Sequence, residues 1–149
     1  MNIAALRTRA NWSTRALAEH ARIDRRTVQR LEHGELNTLS VATVDKMAKA
    51  IGVRTGSLFG RRPLARRDEE RLIEVVLAEN LAGLRARQKL TQEALAGKSG
   101  VSMFVIAHIE RQARNPTLET LGKIAQALDV SMERLLSETR ARSAGPNSC

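Results

Sequence analysis

The sequence has 149 residues, with 25 Lys and Arg against 16 Asp and Glu, and its formal net charge of +9 at pH 7 favours a polyanionic partner. Its single cysteine, Cys149, excludes a disulfide framework or a cysteine-based metal cluster within one chain. No apolar run approaches the length of about 20 residues that spans a bilayer, and the N-terminus lacks an apolar signal region, so we expect a cytoplasmic protein with no membrane partner.

The charge is unevenly distributed along the chain. Residues 1–62 carry 12 Lys and Arg against 5 Asp and Glu, a net charge of +7. Residues 63–149 carry 13 against 11, a net charge of +2. The first half of the chain therefore holds most of the positive field that would attract a polyanion.

The sequence contains an internal repeat. Residues 6–34 align with residues 84–112 at an offset of 78, which pairs Leu17 with Leu95 and Glu32 with Glu110. Beyond them the offset becomes 77, because the first copy has one extra residue in a loop. A repeat of about 55 residues with few aromatic side chains and no alternating strand pattern indicates two small all-helical domains.

The first copy, residues 1–60, is predicted to contain five helices. A side-chain oxygen that accepts a hydrogen bond from the free amides of the first turn marks a helix start. The residues predicted to cap or open these helices are Asn2, Ser13, Asp24, Ser40 and Thr55. Apolar residues at helical spacing are predicted to form a small core of its own, made of Leu17, Ile23, Val28, Leu31, Val44, Met47 and Ile51.

Residues 61–80 are predicted to connect the copies. Gly60 and Pro63 break the helical pattern and indicate a linker at about 60–67, after which a long helix runs into the second copy. This helix carries an apolar stripe, for which packing within the chain is the favoured explanation and a seam between two chains is the alternative. A homodimer is predicted on the basis of the stripe, which consists of Leu72, Ile73, Val76, Leu77, Leu81 and Leu84.

The second copy, residues 81–137, repeats the same order of helices. Gly100 is expected to turn the chain at the end of its second helix. The predicted caps are Thr91, Ser102, Thr117 and Ser131, and the predicted core is Leu95, Val101, Ile106, Ile109, Leu121, Ile124 and Leu128. Residues 138–149 are polar and small-sided, so we expect a disordered tail.

Both copies resemble the Cro-and-repressor type of helix-turn-helix, the XRE family. The run "LTQEALAGKSGVSMFVIAHIERQARNPTLETLGKIAQALDVSMERLL" is a strong match, whereas "WSTRALAEHARIDRRTVQRLEHG" matches less fully because Thr14 stands where the family usually has Gln. The resemblance implies an all-α fold of two tandem five-helix, lambda-repressor-like helix-turn-helix domains joined by a linker and a long helix. It also implies a nucleoid-associated protein whose partner is double-stranded operator DNA. The two-fold symmetry typical of the family's operators is a second ground for the predicted homodimer.

In the first copy the resemblance places the recognition helix at residues 24–33. The major groove admits one helix, and side chains near its start reach the base edges. Arginine pairs with guanine, glutamine pairs with adenine, and the remaining groups hold phosphates. The predicted DNA-binding residues of this domain are Thr14, Arg15, Arg25, Arg26, Thr27, Gln29, Arg30 and His33.

In the second copy the equivalent face is less polar. Met103 and Phe104 form an exposed apolar surface, and Gln112 replaces the glycine that usually ends this helix in a left-handed turn. The face either reads DNA, with the two apolar side chains on thymine methyl groups, or contacts a protein. The predicted DNA-binding residues here are Gln92, Ser102, Met103, Phe104, His108 and Arg111.

No catalytic residue, metal site or cofactor is predicted. His20, His33 and His108 are far apart in sequence and have no cysteine or carboxylate partner at ligand spacing. Glu32 and Glu110 recur at one repeat position and are interpreted as polar anchors between helices. We therefore do not expect an enzyme.

The sequence predicts a transcriptional regulator, in particular a repressor that occupies promoter or operator DNA. Two DNA-binding domains in one chain would raise the affinity for a specific site above the affinity for the rest of the genome, because binding of one domain raises the local concentration of the other. One alternative is that the first domain binds DNA while the second binds a protein, which could be another copy, a polymerase or an antagonist. Another is an antitoxin that represses its own operon.

Overall fold

The computed structural model describes residues 3–35, 37–60 and 71–138, and nearly all regular structure in these ranges is helical. The described part of the first copy forms α1 (Ile3–Arg9), α2 (Thr14–Ala21), α3 (Arg25–Glu32), α4 (Val41–Ile51) and a 3-10 helix (Thr55–Leu58). The second copy forms α5 (Ile73–Arg87), α6 (Gln92–Ser99), α7 (Met103–Glu110), α8 (Leu118–Ala127) and α9 (Met132–Leu136). The predicted all-α fold, with the same order of helices in both copies, is confirmed.

Some predictions fall on other parts of the chain. Most of the predicted linker, Asn2 as the opening residue of the first helix, and the tail from residue 139 lie outside the described residues. The predicted domain limits stay predictions. No helix within the described ranges is both long and apolar enough to cross a bilayer.

Most helices begin at the predicted caps. The Ser13 hydroxyl accepts a hydrogen bond from the Ala16 amide at 3.0 Å, and the Asp24 carboxylate accepts one from the Arg26 amide at 2.7 Å. Such a bond satisfies one of the amides that the first turn leaves without an intrahelical partner. The same bond is made at the starts of α4, α6, α8 and α9, by Ser40, Thr91, Thr117 and Ser131.

Two predicted caps make no side-chain capping bond. Ser102 stands at the N-cap of α7 but makes no side-chain capping bond. Thr55 is the first residue of the 3-10 helix, and the N-cap is Arg54. The Thr55 hydroxyl is buried and donates instead to the Asp45 carboxylate at 2.5 Å, so a tertiary hydrogen bond takes the group that a cap would use.

The two predicted cores are in fact one hydrophobic cluster that continues from the first copy into the second. Every residue of the predicted second core is buried. In the first copy Ile23 and Ile51 are only half-buried, while the other predicted core residues are buried. The two copies therefore share a hydrophobic interior instead of folding around separate ones.

Helix α5 provides much of this shared interior. Ile73, Val76, Leu77 and Leu81 are at most 4% exposed, and α5 packs against α4, α7 and α9. The favoured explanation of the apolar stripe, packing within the chain, is therefore confirmed. Leu72 differs from the rest of the stripe, since it precedes the helix and is 58% exposed.

Candidate nucleic-acid interface

Each copy contains two short helices joined by a tight turn. In the first copy α2 ends at Arg22 in the left-handed conformation, with φ of 52°, and α3 starts three residues later. In the second copy α6 ends at Gly100 with φ of 69°, and α7 starts at Met103. Because the inner faces of these helices are held in the core, the outer face of the second helix of each pair is fixed in direction.

The outer face of α3 is polar and basic. Val28 and Leu31 are buried, and the side chains on the other face are solvent-accessible. Among the predicted DNA-binding residues of this helix and its C-cap, the exposed ones are Arg25, Arg26, Gln29 and His33, whereas Thr27 and Arg30 are half-buried. On such a face arginine supplies a forked pair of donors and glutamine supplies one donor and one acceptor, and both can bind base edges in the major groove.

Several of these polar groups are already held by neighbours. Arg30 Nε lies 3.3 Å from the Glu35 carboxylate, and its guanidinium also donates to the Thr38 hydroxyl. His33 Nδ1 lies 2.7 Å from the Gln29 carbonyl oxygen. At the start of α2, exposed Arg15 pairs with Glu19 at 2.9 Å, and Thr14 beside it is half-buried. Arg25 and Arg26 are therefore the most accessible cations of this face.

The outer face of α7 begins with apolar side chains. Phe104 is 69% exposed and Met103 is 41% exposed, and with Leu72 they are the large hydrophobic residues that the described chain exposes. Ser102 and Arg111 are also exposed, but His108 is half-buried with Nδ1 2.6 Å from the Phe104 carbonyl oxygen. The two recognition-helix positions thus present surfaces of different chemistry.

A half-buried polar anchor fixes each recognition helix from behind. Arg7 on α1 donates to Glu32 on α3 at 2.6 Å, and Arg85 on α5 donates to Glu110 on α7 at 2.7 and 3.0 Å. The interpretation of the two glutamates as polar anchors between helices is confirmed. Sequence reasoning missed their arginine partners, although these recur at the same offset of 78.

The second anchor is the more elaborate one. Gln92 donates to the second oxygen of Glu110 at 2.7 Å, so its amide is used inside the domain and does not simply face outward. Partial burial raises the pKa of Glu110, but the hydrogen bonds from Arg85 and Gln92 and the charge of Arg85 lower it more, and the net pKa is below the usual value. The bond to Glu110 in turn raises the pKa of Arg85.

The chemistry available elsewhere is limited. The His20 ring packs edge-on against Trp12, with ring centroids 4.2 Å apart. Within the described residues no group of three or more His, Cys, Asp or Glu side chains is placed to hold a metal ion. The described residues instead present two helix faces, each held in a fixed direction, to an elongated partner.

Two helix pairs of this geometry define a tandem helix-turn-helix protein. Family models described as "Helix-turn-helix" and "Helix-turn-helix domain" match residues 81–135 and 2–59. An HTH-type transcriptional regulator of Sinorhizobium fredii, y4dJ, is 42% identical over 64 residues, which are 43% of this chain and 83% of that protein. The chain therefore belongs to the helix-turn-helix family of transcriptional regulators, of the Cro-and-repressor type, and it is a DNA-binding regulator.

Two further proteins show the range of relatives. The immunity repressor of Bacillus phage phi105 is 34% identical over 64 residues, which are 43% of this chain and 44% of that protein. The crystal structure of the restriction-modification controller protein C.AhdI from Aeromonas hydrophila is 35% identical in sequence, with a TM-score of 0.41, over 42% of this chain and 94% of that one.

Proposed function

We propose that the protein is a repressor that occupies operator DNA with both recognition helices in the major groove. The observation that carries the proposal is the outer face of α3, where Arg25, Arg26 and Gln29 are exposed together on a helix anchored from behind by Glu32. The two donors of an arginine match the O6 and N7 acceptors of guanine, and the donor and acceptor of a glutamine amide match the N7 acceptor and N6 donor of adenine.

In the first domain we assign direct base contacts to Arg26 and Gln29. We assign phosphate contacts on either side of the groove to Arg25 and to Thr14 and Arg15 at the start of α2, and Thr27, Arg30 and His33 complete the predicted surface. The net charge of +7 over residues 1–62 supports this domain as the main source of electrostatic affinity.

In the second domain we assign contacts with thymine bases to Met103 and Phe104. The thymine methyl group is the apolar feature of the major groove, and an exposed aromatic side chain at the start of a recognition helix is suited to contact it. Ser102 and Arg111 supply polar contacts to the DNA backbone. Gln92 and His108 position the helix as well as facing the DNA, because both are bonded within the domain.

Repression follows from occupancy alone. A protein that covers a promoter excludes polymerase by steric overlap and requires no contact with it. One relative, from Bacillus phage phi105, is named an immunity repressor.

The predicted homodimer has lost one of the two grounds on which it rested, the apolar stripe, and keeps the other, the two-fold operators typical of the family. The chain's own α4, α7 and α9 cover the stripe on α5, apart from Leu72, so it offers no seam to a second chain. Homodimerisation stays a prediction, and the described residues give it no new support.

A second candidate function is that α7 binds a protein. The exposure of Phe104 and Met103 favours it, since exposed aromatic and methionine side chains are common anchors in protein interfaces. In this case the first domain alone would read DNA, and the partner would be a polymerase or an antagonist.

The experiment that tests the proposal is selection of operator sequences from random duplex DNA with the intact chain, followed by a promoter reporter. The proposal requires one enriched sequence motif and reduced expression from a promoter that carries it. Enrichment without any motif would contradict sequence-specific reading, and increased expression would contradict repression. Intact operator binding by Phe104→Ala combined with lost regulation would support the second candidate instead.

A further inference from the structure

The two copies meet through a short pairing of their loops. The Val41 amide donates to the Pro116 carbonyl at 2.9 Å, and the Leu118 amide donates to the Leu39 carbonyl at 2.7 Å. These two bonds enclose an antiparallel bridge at the centre of the contact. The pairing joins the loop between α3 and α4 to the loop between α7 and α8.

The paired residues are repeat equivalents. At the offset of 77 the bridge partners Ser40 and Thr117 correspond to each other, and each is the N-cap of the equivalent helix in its copy. Likewise Val41 corresponds to Leu118 and Leu39 to Pro116, so each hydrogen bond is the counterpart of the other. A contact in which equivalent residues exchange roles is the signature of a two-fold axis.

A second contact between the two copies follows the same two-fold symmetry. The 3-10 helix packs against α9, its repeat equivalent. Gly56 corresponds to Glu133, and a Cβ placed on Gly56 would lie 3.0 Å from the Glu133 carbonyl oxygen and 2.5 Å from Ser137 Oγ. Two separated pairs of equivalent residues in mutual contact fit one two-fold axis, although among the described residues the packing of α4 on α5 has no comparable counterpart between α8 and α1.

One side chain adds a bond between the copies that the symmetry does not repeat. Asn115, whose repeat equivalent is Thr38, accepts from the Ala42 amide at 3.0 Å and donates to Glu74 on α5 at 2.9 Å. The interface also lies within the shared hydrophobic cluster. The contact between the copies is therefore continuous with the hydrophobic interior.

A two-fold axis has a consequence for the recognition helices. A rotation by 180° keeps the part of a direction that lies along the axis and reverses the part that lies across it. Outer faces of α3 and α7 that point along the axis therefore lie on one side of the molecule, with the two helices antiparallel in projection. The same symmetry relates the half-sites of an inverted operator, which lie about one helical turn, 10 to 10.5 base pairs, apart. One chain therefore has the symmetry that usually requires two.

We propose that a single chain binds one operator made of two inverted half-sites of unlike sequence. The α3 half-site contains guanine or adenine for Arg26 and Gln29, and the α7 half-site contains thymine for Phe104. This inference rests on the proposed function, since it presumes that both helices read DNA. It specifies the stoichiometry, the orientation and the asymmetry of the site that they read.

The test begins with the selected operator and the intact chain. Sedimentation of the complex is expected to give one chain per duplex. Insertion of five base pairs between the half-sites turns them to opposite faces of the DNA. Affinity should then fall about 100-fold, because the second recognition helix can no longer reach its half-site while the first is bound. Arg26→Ala should relax base preference in one half-site alone, and Phe104→Ala in the other half-site alone.

Two glycine variants test whether the contact between the two copies is needed for binding of both half-sites. Gly56→Ala introduces a methyl group between the copies and should weaken binding to the full operator while affinity for an isolated α3 half-site stays the same. Gly122→Ala on α8 is the matched control, since a Cβ there meets nothing within 4 Å. If Gly56→Ala fails to fold by circular dichroism, the spacing and stoichiometry measurements on the natural chain decide the question.

The outcomes separate the two proposals. A motif bound by two chains, with Arg26→Ala relaxing both half-sites equally, would overturn the single-chain mode and leave DNA reading in place. A motif with half-sites in the same orientation would also overturn it. Failure to enrich any motif would overturn the proposed function itself, and the single-chain mode with it.

Discussion

At the scale of single residues, the equivalent positions Arg26 and Phe104 express the divergence of the two copies. Both are exposed near the start of a recognition helix, and they differ in the kind of contact that each can make. Arginine makes a directional, charged contact, whereas phenylalanine contributes apolar burial. Loss of the two side chains should therefore have unequal effects on DNA affinity.

We expect Arg26→Ala to weaken binding to the selected operator by about 1 to 3 kcal/mol, the cost of losing a bidentate arginine contact. Phe104→Ala should cost about 1 kcal/mol or less, since it removes modest apolar burial and leaves no charge unpaired. Fluorescence anisotropy at fixed salt measures both. Equal and large losses for the two variants would show that the copies read DNA to the same extent.

Glu110 illustrates a residue whose ionisation supports the fold. Its pKa is lowered in the folded protein, so its charged form stabilises the fold at pH values above the unfolded pKa of about 4.3. This contribution is lost as the pH falls through the folded pKa. The affected range is therefore acidic, and stability near neutral pH should be insensitive to small pH changes at this site.

Replacement of Glu110 by Gln should lower the free energy of unfolding at pH 7 by about 1.5 to 3 kcal/mol, the range for hydrogen bonds to a charged group. Below about pH 4 the difference from the natural chain should shrink, because protonation removes the same charge. Urea denaturation at several pH values measures it. Glu119→Gln is the control, since that carboxylate is half-exposed in its pair with Lys123 and should change stability by less than about 0.5 kcal/mol. A pH-independent deficit in Glu110→Gln would contradict the prediction.

At the scale of elements, helix existence and helix starts could be predicted from the sequence, because a cap is a local interaction between residues two or three positions apart. Thr55 shows the limit of this reasoning, since its hydroxyl is taken by Asp45, ten residues away. The outward direction of Arg25 and Phe104 could also be predicted, because helical periodicity fixes which face is buried.

The end of each recognition helix follows the same local rule. Gly34 after α3 has φ of 79° and Gln112 after α7 has φ of 60°, both left-handed. The chain closes alike in both places, since the Glu35 amide donates to the Arg30 carbonyl and the Ala113 amide to the His108 carbonyl. A side chain in this conformation costs about 1 to 2 kcal/mol, and Gln112 bears that cost where Gly34 does not.

Gln112→Gly should therefore raise the free energy of unfolding by about 0.5 to 1 kcal/mol, after allowance for the greater freedom of glycine in the unfolded chain. The reciprocal variant Gly34→Gln should lower it by a similar amount, since the space around Gly34 is open and only the backbone conformation opposes the change. Thermal or urea unfolding measures both. A destabilised Gln112→Gly would contradict this account and show that the glutamine side chain makes a contact worth more than the strain.

At the scale of the whole molecule, the arrangement of the two copies could not be predicted from the repeat. The pairing of Ser40 with Thr117 joins residues 77 positions apart through backbone groups, which carry no sequence signal. Asn115 and Gly56 also act across the interface, and nothing in the local sequence around them indicates a partner. Repetition of the sequence predicts two similar domains, but the contact between them depends on surfaces that form only after each has folded.

The distribution of charge across these two domains governs the strength of DNA binding. Each phosphate that a cation neutralises releases a counterion, so affinity falls as salt rises, with a slope of about −0.9 per contact in a plot of log affinity against log salt concentration. The basic first domain and the nearly balanced second domain bind as one body in the single-chain mode. Most of the slope should therefore come from cations of residues 1–62, among which Arg25 is exposed on α3.

We expect a steep negative slope for the intact chain and a slope shallower by about 1 for Arg25→Ala, because that variant loses one phosphate contact. Its affinity should fall by a similar factor on the selected operator and on unrelated duplexes, since a phosphate contact carries no sequence information. Lys123→Ala is the matched control, because Lys123 is paired with Glu119 on α8, outside both recognition helices, and its slope should equal that of the natural chain. Anisotropy titrations at four or more salt concentrations measure all three. A slope near zero for the natural chain would rule out DNA phosphates as the main source of affinity, and an unchanged slope in Arg25→Ala would remove that residue from the phosphate contacts.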